Sequence, residues 1–312
     1  MRMRLLITGG SGLLGSSLAE VAVAEGHQVF SGYCRHSPEF GVAVKLDLLE
    51  GAEVERSISE VAPQVIFHTA ALTDVDRCED DPDLAWRTNV LGTERVARAA
   101  AEVGAHLVYV STDYVFDGEG GMYREEDRTD PVNCYARTKL SAEGFCDLVA
   151  RTSVIYGARP ASGKVNFALW LIERLAAGEE VRIVTDQFIT PTLNTNLARM
   201  LLEAGERRLS GVYHMAGATR VSRYDFAVEI ARAFGLDEGL IAPSRISDMR
   251  WRAKRPRDSS LDTSKAARLL AEGPSPLRES LRALREEIGW RARSSHPELC
   301  HEGRNEKDRR PI

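Results

Sequence analysis

The first strand of this chain ends in a turn rich in glycine. The apolar residues Leu5-Leu6-Ile7 run into Thr8-Gly9-Gly10-Ser11-Gly12-Leu13-Leu14-Gly15, and a helical pattern follows at once. A strand that turns this sharply into a helix limits the available folds more than any other feature here. Gly9, Gly12 and Gly15 have the spacing GxxGxxG. Gly9 permits the tight turn, Gly12 lets the backbone approach a pyrophosphate, and Gly15 allows the helix to pack closely on the strand. Free N–H groups at the helix start face an anion, with Ser11, Leu13 and Leu14 around them. The same spacing also serves a tight β–α turn without a ligand, but its setting between strand and helix favours a dinucleotide.

The rest of the first half keeps this rhythm. Strands are expected at 3–8, 27–33, 64–68, 106–111 and 148–154, several rich in Val, Ile and Leu, as strands covered on both faces are. Amphipathic helices near 12–25, 51–60, 82–103 and 134–147 lie between them. The alternation predicts βαβ units with right-handed crossovers, hence an α/β fold with a Rossmann-type doubly wound parallel sheet. After about residue 157 the rhythm loosens, with helices expected at 164–177, 192–204, 222–234 and 276–287 and strands near 181–184 and 211–215. This reads as a dinucleotide-binding domain over 1–157 with segments near 185–215 returning to it. A smaller, discontinuous α/β substrate-binding domain then covers 158–290. Residues 291–312 are polar and aperiodic and read as a disordered tail. Cys300-His301 in that tail offers two ligands without partners, and no metal site is expected.

The chain has 312 residues, a formal charge of −5, 43% hydrophobic and 28% charged residues, so nothing global draws it to nucleic acid or a membrane surface. Five cysteines without CxxC pairing read as reduced thiols in a cytoplasmic protein. The opening apolar run falls short of the roughly 7–15 residues of a signal peptide, and no stretch approaches the ~20 of a membrane span. A homodimer is left open.

The second strand ends Val29-Phe30-Ser31-Gly32-Tyr33-Cys34-Arg35. A site selective for NAD(H) usually carries Asp or Glu there for the ribose 2′-hydroxyl. None is present, and Arg35 can pair with a 2′-phosphate, so NADP(H) is favoured and NAD(H) stays open. Asp47, with Leu48 beside it, follows a third strand; its carboxylate can accept from an adenine amino group or close a solvated turn. His68-Thr69-Ala70-Ala71 ends the fourth strand, where small residues let the backbone pass close to a cofactor. His68 itself reads as core.

Tyr135-Ala136-Arg137-Thr138-Lys139 sets a phenol and an ammonium on one helix face. Free tyrosine, with a pKa near about 10, is a poor acid–base group at neutral pH, and a nearby cation lowers that value. Lys139 is therefore expected to tune Tyr135. Upstream, Val108-Tyr109-Val110-Ser111-Thr112 is a strand ending in hydroxyls at the carboxyl edge of the sheet, where open α/β folds bind ligands. A hydroxyl there can polarise a substrate carbonyl. Together with the glycine turn, these residues predict a carbonyl-reducing triad of a strand-end hydroxyl, from Ser111 or Thr112, with Tyr135 and Lys139.

At this point the chain resembles the extended short-chain dehydrogenase/reductases, specifically the dTDP-4-dehydrorhamnose reductase group. The resemblance spans roughly 3–287. Its most specific stretches are Thr112-Asp113-Tyr114-Val115-Phe116-Asp117-Gly118, Tyr135 to Lys139, and Arg151-Thr152-Ser153-Val154-Ile155-Tyr156-Gly157. Ala71-Leu72-Thr73-Asp74-Val75-Asp76 with Cys78-Glu79, and Lys254 through Asp262, also match. The resemblance implies that Thr112 holds a keto oxygen, Tyr135 donates the proton, and Lys139 binds the nicotinamide ribose, supported through water by Asn89. It implies that Ala70, Ala71 and Thr73 line the cofactor, that Thr73 and Val75 face a sugar, and that Asp113, Tyr114 and Phe116 shape the sugar pocket. Gln187 lies in a segment similar to one that reaches the substrate, and Arg255 or Arg257, in the basic run 250–257, is expected to grip a diphosphate. The implied reaction is reduction of the 4-keto group of dTDP-4-dehydro-β-L-rhamnose. One departure matters: Val154 stands where the family's reductases carry tryptophan, which leaves the sugar open. Trp86 and Trp170 are expected to be packing residues. Two alternatives remain, a nucleotide-sugar epimerase of the same fold and a non-catalytic NADP-binding regulator like the regulatory subunit of methionine adenosyltransferase.

Overall fold

The computed structural model describes residues 2–160 and 165–290; the expected tail, with Cys300-His301, lies outside the described residues. The first half runs β1 (Arg4–Thr8), α1 (Leu13–Ala24), β2 (Gln28–Tyr33), β3 (Val42–Lys45), α2 (Gly51–Val61), β4 (Val65–His68), α3 (Val75–Asp80), α4 (Pro82–Trp86), a π-helical turn (Arg87–Leu91), α5 (Gly92–Val103), β5 (His106–Thr112), α6 (Cys134–Glu143) and β6 (Leu148–Thr152). The second half runs β7 (Ile155–Tyr156), α7 (Phe167–Ala176), β8 (Val181–Val184), β9 (Phe188–Ile189), β10 (Thr192–Leu193), α8 (Asn194–Glu206), β11 (Gly211–His214), β12 (Val221–Ser222), α9 (Arg223–Phe234), β13 (Ile241–Ser244), α10 (Ser264–Leu269) and α11 (Leu277–Ile288).

Seven parallel strands form one sheet in the order β3-β2-β1-β4-β5-β6-β11. Alternation along the strands divides their side chains between two faces. Leu5, Ile7, Val65, Phe67, Val108 and Val110 pack on Leu14 and Leu18 of α1 and on Leu197 and Leu201 of α8. Leu6, Ile66 and Leu107 pack on Val54 and Ile58 of α2 and on Val96 and Ala99 of α5. Every residue of β4, β5 and β6 is buried, as a sheet covered on both sides requires. Each such aliphatic side chain contributes about 1.5–3 kcal/mol by leaving water. The strand order reverses between β1 and β4, and a ligand crevice opens at the carboxyl ends beside such a reversal. The glycine turn, His68 to Ala71 and Thr112 all converge there.

The stretch expected as one helix over 82–103 is continuous but contains the π-helical turn at Arg87–Leu91. It begins at Pro82, with Asp81 capping the Leu84 N–H at 3.0 Å, and stops at Gly104 in the left-handed region, φ 68°. A second core gathers Tyr156, Phe167, Leu171, Phe226, Ile230 and Leu281 in the C-terminal region. Three small two-stranded pieces, β7 with β10, β9 with β12 and β8 with β13, surround it. α8 and β11 pack back on the large sheet. Trp170 packs against Phe167 with ring centroids 5.8 Å apart. Trp86 departs from expectation: it is 46% exposed, because the apolar side of its short helix is taken by Ala85.

Candidate functional site

Gly9 adopts φ 68°, which gives the turn its sharpness. A Cβ on Gly15 would lie 2.2 Å from the Gly9 carbonyl oxygen, so the helix start is seated directly on the turn. Gly12 occupies the N-cap of α1 and offers no side-chain acceptor to the first-turn N–H groups. Those donors and the dipole of a helix start suit a pyrophosphate. The side chain of Leu14 is buried in the core and that of Leu13 is half-buried, so their backbones are what they can offer; Ser11 is half-exposed.

Behind the turn runs a hydrogen-bonded chain through the core. The Ala70 N–H donates to Thr8 Oγ1 at 3.2 Å, and Thr8 Oγ1 meets His68 Nδ1 at 2.7 Å. His68 Nε2 meets Thr93 Oγ1 at 3.0 Å, and that hydroxyl donates onward to the Asn89 carbonyl at 2.7 Å. The directions require a neutral imidazole protonated on Nε2, and burial with the nearby Lys139 charge pulls the His68 pKa down to about 3. His68 is thus a core residue that fixes the end of β4, with Ala70 and Ala71 half-buried and Thr73 exposed beyond it.

Asn89 sits in the π-helical turn, a feature often found at functional sites. Its Oδ1 accepts from Leu72 N–H at 2.8 Å, and its Nδ2 donates to the Leu72 carbonyl at 3.1 Å and to Thr138 Oγ1 at 3.0 Å. It therefore braces the Ala71-Leu72-Thr73 loop against α6 beside Lys139, and its described contacts do not include Lys139 itself.

Thr112 ends β5, buried, with its Oγ1 donating to Asp113 Oδ1 at 3.1 Å and accepting from Tyr114 N–H at 3.2 Å. The neighbouring Ser111 is already engaged: it donates to Glu143 at 2.6 Å, and Glu143 pairs with buried Arg151 at 2.8 Å. Asn133 caps α6 through the Ala136 N–H at 2.9 Å and so directs Tyr135 toward the strand end. Burial drives the Tyr135 phenol well above its ordinary range, with a Thr112 hydrogen bond pulling the other way. The phenol is held protonated, as a proton donor should be. Lys139 lies one turn on, its Nζ 4.1 Å from the centre of the Tyr109 ring, and burial pulls its pKa from 10.5 to about 7.

Two residues expected to shape a sugar pocket, Asp113 and Phe116, face elsewhere. Asp113 is buried and receives Ser153 Oγ at 2.8 Å and Ser259 Oγ at 2.5 Å. Its carboxylate joins three loops instead of facing the cleft, and burial raises its pKa to about 6. Phe116 is fully buried, stacked on Tyr123 at 4.3 Å, because the short turn at Asp113–Val115 rotates it into the core. Leu48, expected beside the cofactor, has its side chain in the core, packed beneath Gly92. Tyr114 remains at the site, edge-on to Tyr135 at 6.4 Å, with Val75 in the same cluster. Gln187 is buried and donates to Tyr114 OH at 3.5 Å and to the Pro256 carbonyl at 3.3 Å. Arg257 is exposed, whereas Arg255 is held by Asp76 at 3.0 Å and Arg252 by Asp80 at 2.9 Å. Sequence reasoning missed Ser153 and Ser259, since no local signal marks a serine that meets a carboxylate 146 positions away.

At the other end of the cleft Arg35 is exposed beyond β2. Asp47 accepts from the Cys34 thiol and the Leu49 N–H, each at 3.0 Å. Burial alone would raise the Asp47 carboxyl, but those two bonds with Lys45 and Arg35 hold it below its ordinary value. Among the described residues, Glu25, His27 and Glu206 are close enough together to hold a cation, at the opposite edge of the sheet. His27 Nδ1 accepts the Met3 N–H at 3.3 Å, which makes Nε2 the donor toward Glu206 at 3.0 Å and a poor ligand.

Residues 3–289 match the family model described as the RmlD substrate binding domain. The chain is 34% identical over 291 residues to a probable low-salt glycan biosynthesis reductase of Haloferax volcanii, covering 90% of this chain and 97% of that one. It is 33% identical over 292 residues to methionine adenosyltransferase 2 subunit beta of Xenopus tropicalis, covering 89% and 86%. A dTDP-4-dehydrorhamnose reductase from Bacillus anthracis, solved in complex with NADP, superposes with a TM-score of 0.83 at 30% identity, over 92% of this chain and all of that one.

Proposed function

The chain belongs to the RmlD substrate binding domain family, and from that premise we propose that it reduces the 4-keto group of a nucleotide sugar with NADP(H), dTDP-4-dehydro-β-L-rhamnose being the favoured substrate. The observation that carries this reading is the meeting of Thr112 and a protonated Tyr135 at the carboxyl edge of β5, with buried Lys139 one helical turn away. We assign the dinucleotide to residues 1–157 with the segments near 185–215, and the sugar chiefly to 158–290.

The uncapped start of α1 and the glycine seat suit a pyrophosphate, and Lys139, buried with its ammonium against the Tyr109 ring, suits ribose hydroxyls. When bound, the reduced nicotinamide supplies a hydride to the carbonyl carbon. Thr112 turns its hydroxyl hydrogen from Asp113 to the carbonyl oxygen, and Tyr135 gives that oxygen its proton as charge develops, so carbonyl, hydride and proton balance to an alcohol. Desolvation of the half-buried phenol keeps it protonated until that moment. Tyr135→Phe should retain NADPH binding and lose at least about a hundredfold in turnover, the usual scale for a positioned proton donor. NADPH and NADH oxidation with a panel of 4-keto nucleotide sugars tests substrate and cofactor together; near-normal turnover of Tyr135→Phe sinks the assignment.

The 33% identity to methionine adenosyltransferase 2 subunit beta favours a second reading, an NADP-binding regulatory subunit. Co-purification of a synthetase partner, with no keto-sugar reduction, would support it. An epimerase of the same fold would instead retain its nucleotide through purification and return the hydride.

A further inference from the structure

Arg35 alone is a weak basis for choosing between dinucleotides, since one exposed guanidinium is screened by salt and loses entropy on ordering. The edge strand supplies a second cation. β3 lies beside β2 in parallel register, with Lys45 opposite Tyr33, so Lys45 ends its strand at the edge where β2 delivers Cys34 and Arg35. Its Nζ donates to the Cys34 carbonyl and lies 5.5 Å from the centre of the Tyr33 ring, which holds the charge against the turn. Asp47 lies two residues on, where the chain turns after β3. Its bond from the Cys34 thiol ties it to the end of β2. Arg35 and Lys45 flank the Asp47 carboxylate there, while Glu53 accepts the Asp47 N–H at 2.7 Å behind it, so two cations stand at the carboxyl end of β2, where the adenine ribose of a dinucleotide lies in this type of fold.

We propose that Lys45 is the second cation of a 2′-phosphate subsite, acting with Arg35 to select a dinucleotide phosphorylated on its adenine ribose. The inference rests on the dinucleotide reading of the glycine turn. A phosphate oxygen would take over the Lys45 ammonium from the Cys34 carbonyl, a charged acceptor replacing a neutral one, while Arg35 approaches from the loop.

Calorimetry with 2′,5′-ADP and 5′-AMP isolates the phosphate from the nicotinamide. The intact protein should prefer 2′,5′-ADP. Lys45→Met should weaken 2′,5′-ADP by about ten- to a hundredfold, the scale of one charge-assisted contact, while leaving 5′-AMP within about threefold. Lys45→Arg should recover most of the preference, and added salt should erode it. Equal losses for both nucleotides would mean that Lys45 only shapes the turn, and would overturn the proposal, as would an unchanged preference in Lys45→Met. An intact protein that binds neither nucleotide refutes the dinucleotide reading itself. One that binds both equally overturns the 2′-phosphate subsite and leaves the dinucleotide reading standing.

Discussion

Replacing Lys139 by methionine should make the protein more stable and less active. Lys139 is 3% exposed, and its charge rests against the Tyr109 ring at 4.1 Å. Burial pulls its pKa from 10.5 to about 7, against the opposing pull of Cys146, Glu143 and Cys78. At about 1.36 kcal/mol per tenfold change in proton affinity, that fall represents roughly 4–5 kcal/mol of penalty on the ammonium. Between pH 7 and 10.5 the unfolded chain holds the proton and the folded chain does not, so stability rises with pH across that window. Below about pH 7 both states hold it and the penalty is nearly whole. Methionine has a similar length and no charge, so it removes the penalty with little change in packed volume. The lost cation–π contact returns about 1–2 kcal/mol. The variant should therefore be more stable by about 2–4 kcal/mol at neutral pH, with the gap closing toward pH 10. Urea unfolding across a pH series reads this difference directly. A variant no more stable than its parent at pH 7, or a gap that does not shrink as pH rises, refutes the reasoning. Nucleotide affinity and turnover should fall in the same variant, because the proposed reaction sets this ammonium against the nicotinamide ribose.

Two further outcomes follow from the same geometry. Burial raises the Asp113 carboxyl from 3.8 to about 6, so between those values the unfolded chain has released a proton that the folded chain keeps. Stability from this group therefore falls as pH rises through that window, by about 3 kcal/mol; Asp113→Asn should flatten the stability–pH curve there, and an unchanged curve contradicts the assignment. Gly15→Ala would push a methyl to 2.2 Å from the Gly9 carbonyl oxygen, backbone that cannot swing away. It should cost about 1–3 kcal/mol of stability by overpacking and abolish nucleotide binding, measured by thermal unfolding and titration.

The sheet was legible because its strands are continuous apolar runs whose pattern does not depend on distant partners. β4, β5 and β6 needed only their own composition. β7, β9, β10 and β12 were not legible, since two residues carry no period and their pairing is decided by tertiary contacts. The site was legible as residue types more than as orientations. Helical spacing placed Tyr135 and Lys139 on one face, yet the contact that counts for the phenol is Thr112, while Lys139 reaches Tyr109. Asn89 lies where the helix widens to π geometry, so a regular helical period misjudges its direction. Phe116 follows a one-turn helix that ends the alternation of β5, and motif proximity to Thr112 could not reveal that it turns inward.

Val154 gives that difference a mechanical meaning. It is β-branched and sits at φ 39°, a left-handed conformation that costs a non-glycine residue about 1–2 kcal/mol. Such strain persists only where the surroundings over-determine the backbone. Here Thr192 donates its N–H to the Val154 carbonyl at 3.1 Å and its hydroxyl to the Ser153 carbonyl at 2.6 Å, while Ser153 Oγ donates to Asp113. Asp113 in turn accepts from Thr112 on one oxygen and from Ser259 on the other. Thr112, the proposed polariser of the carbonyl, and Ser153, the residue before Val154, are therefore held by one buried carboxylate. A substitution that relaxes Val154 reaches Thr112 through Asp113, so selection of the sugar and polarisation of its carbonyl are expected to change together.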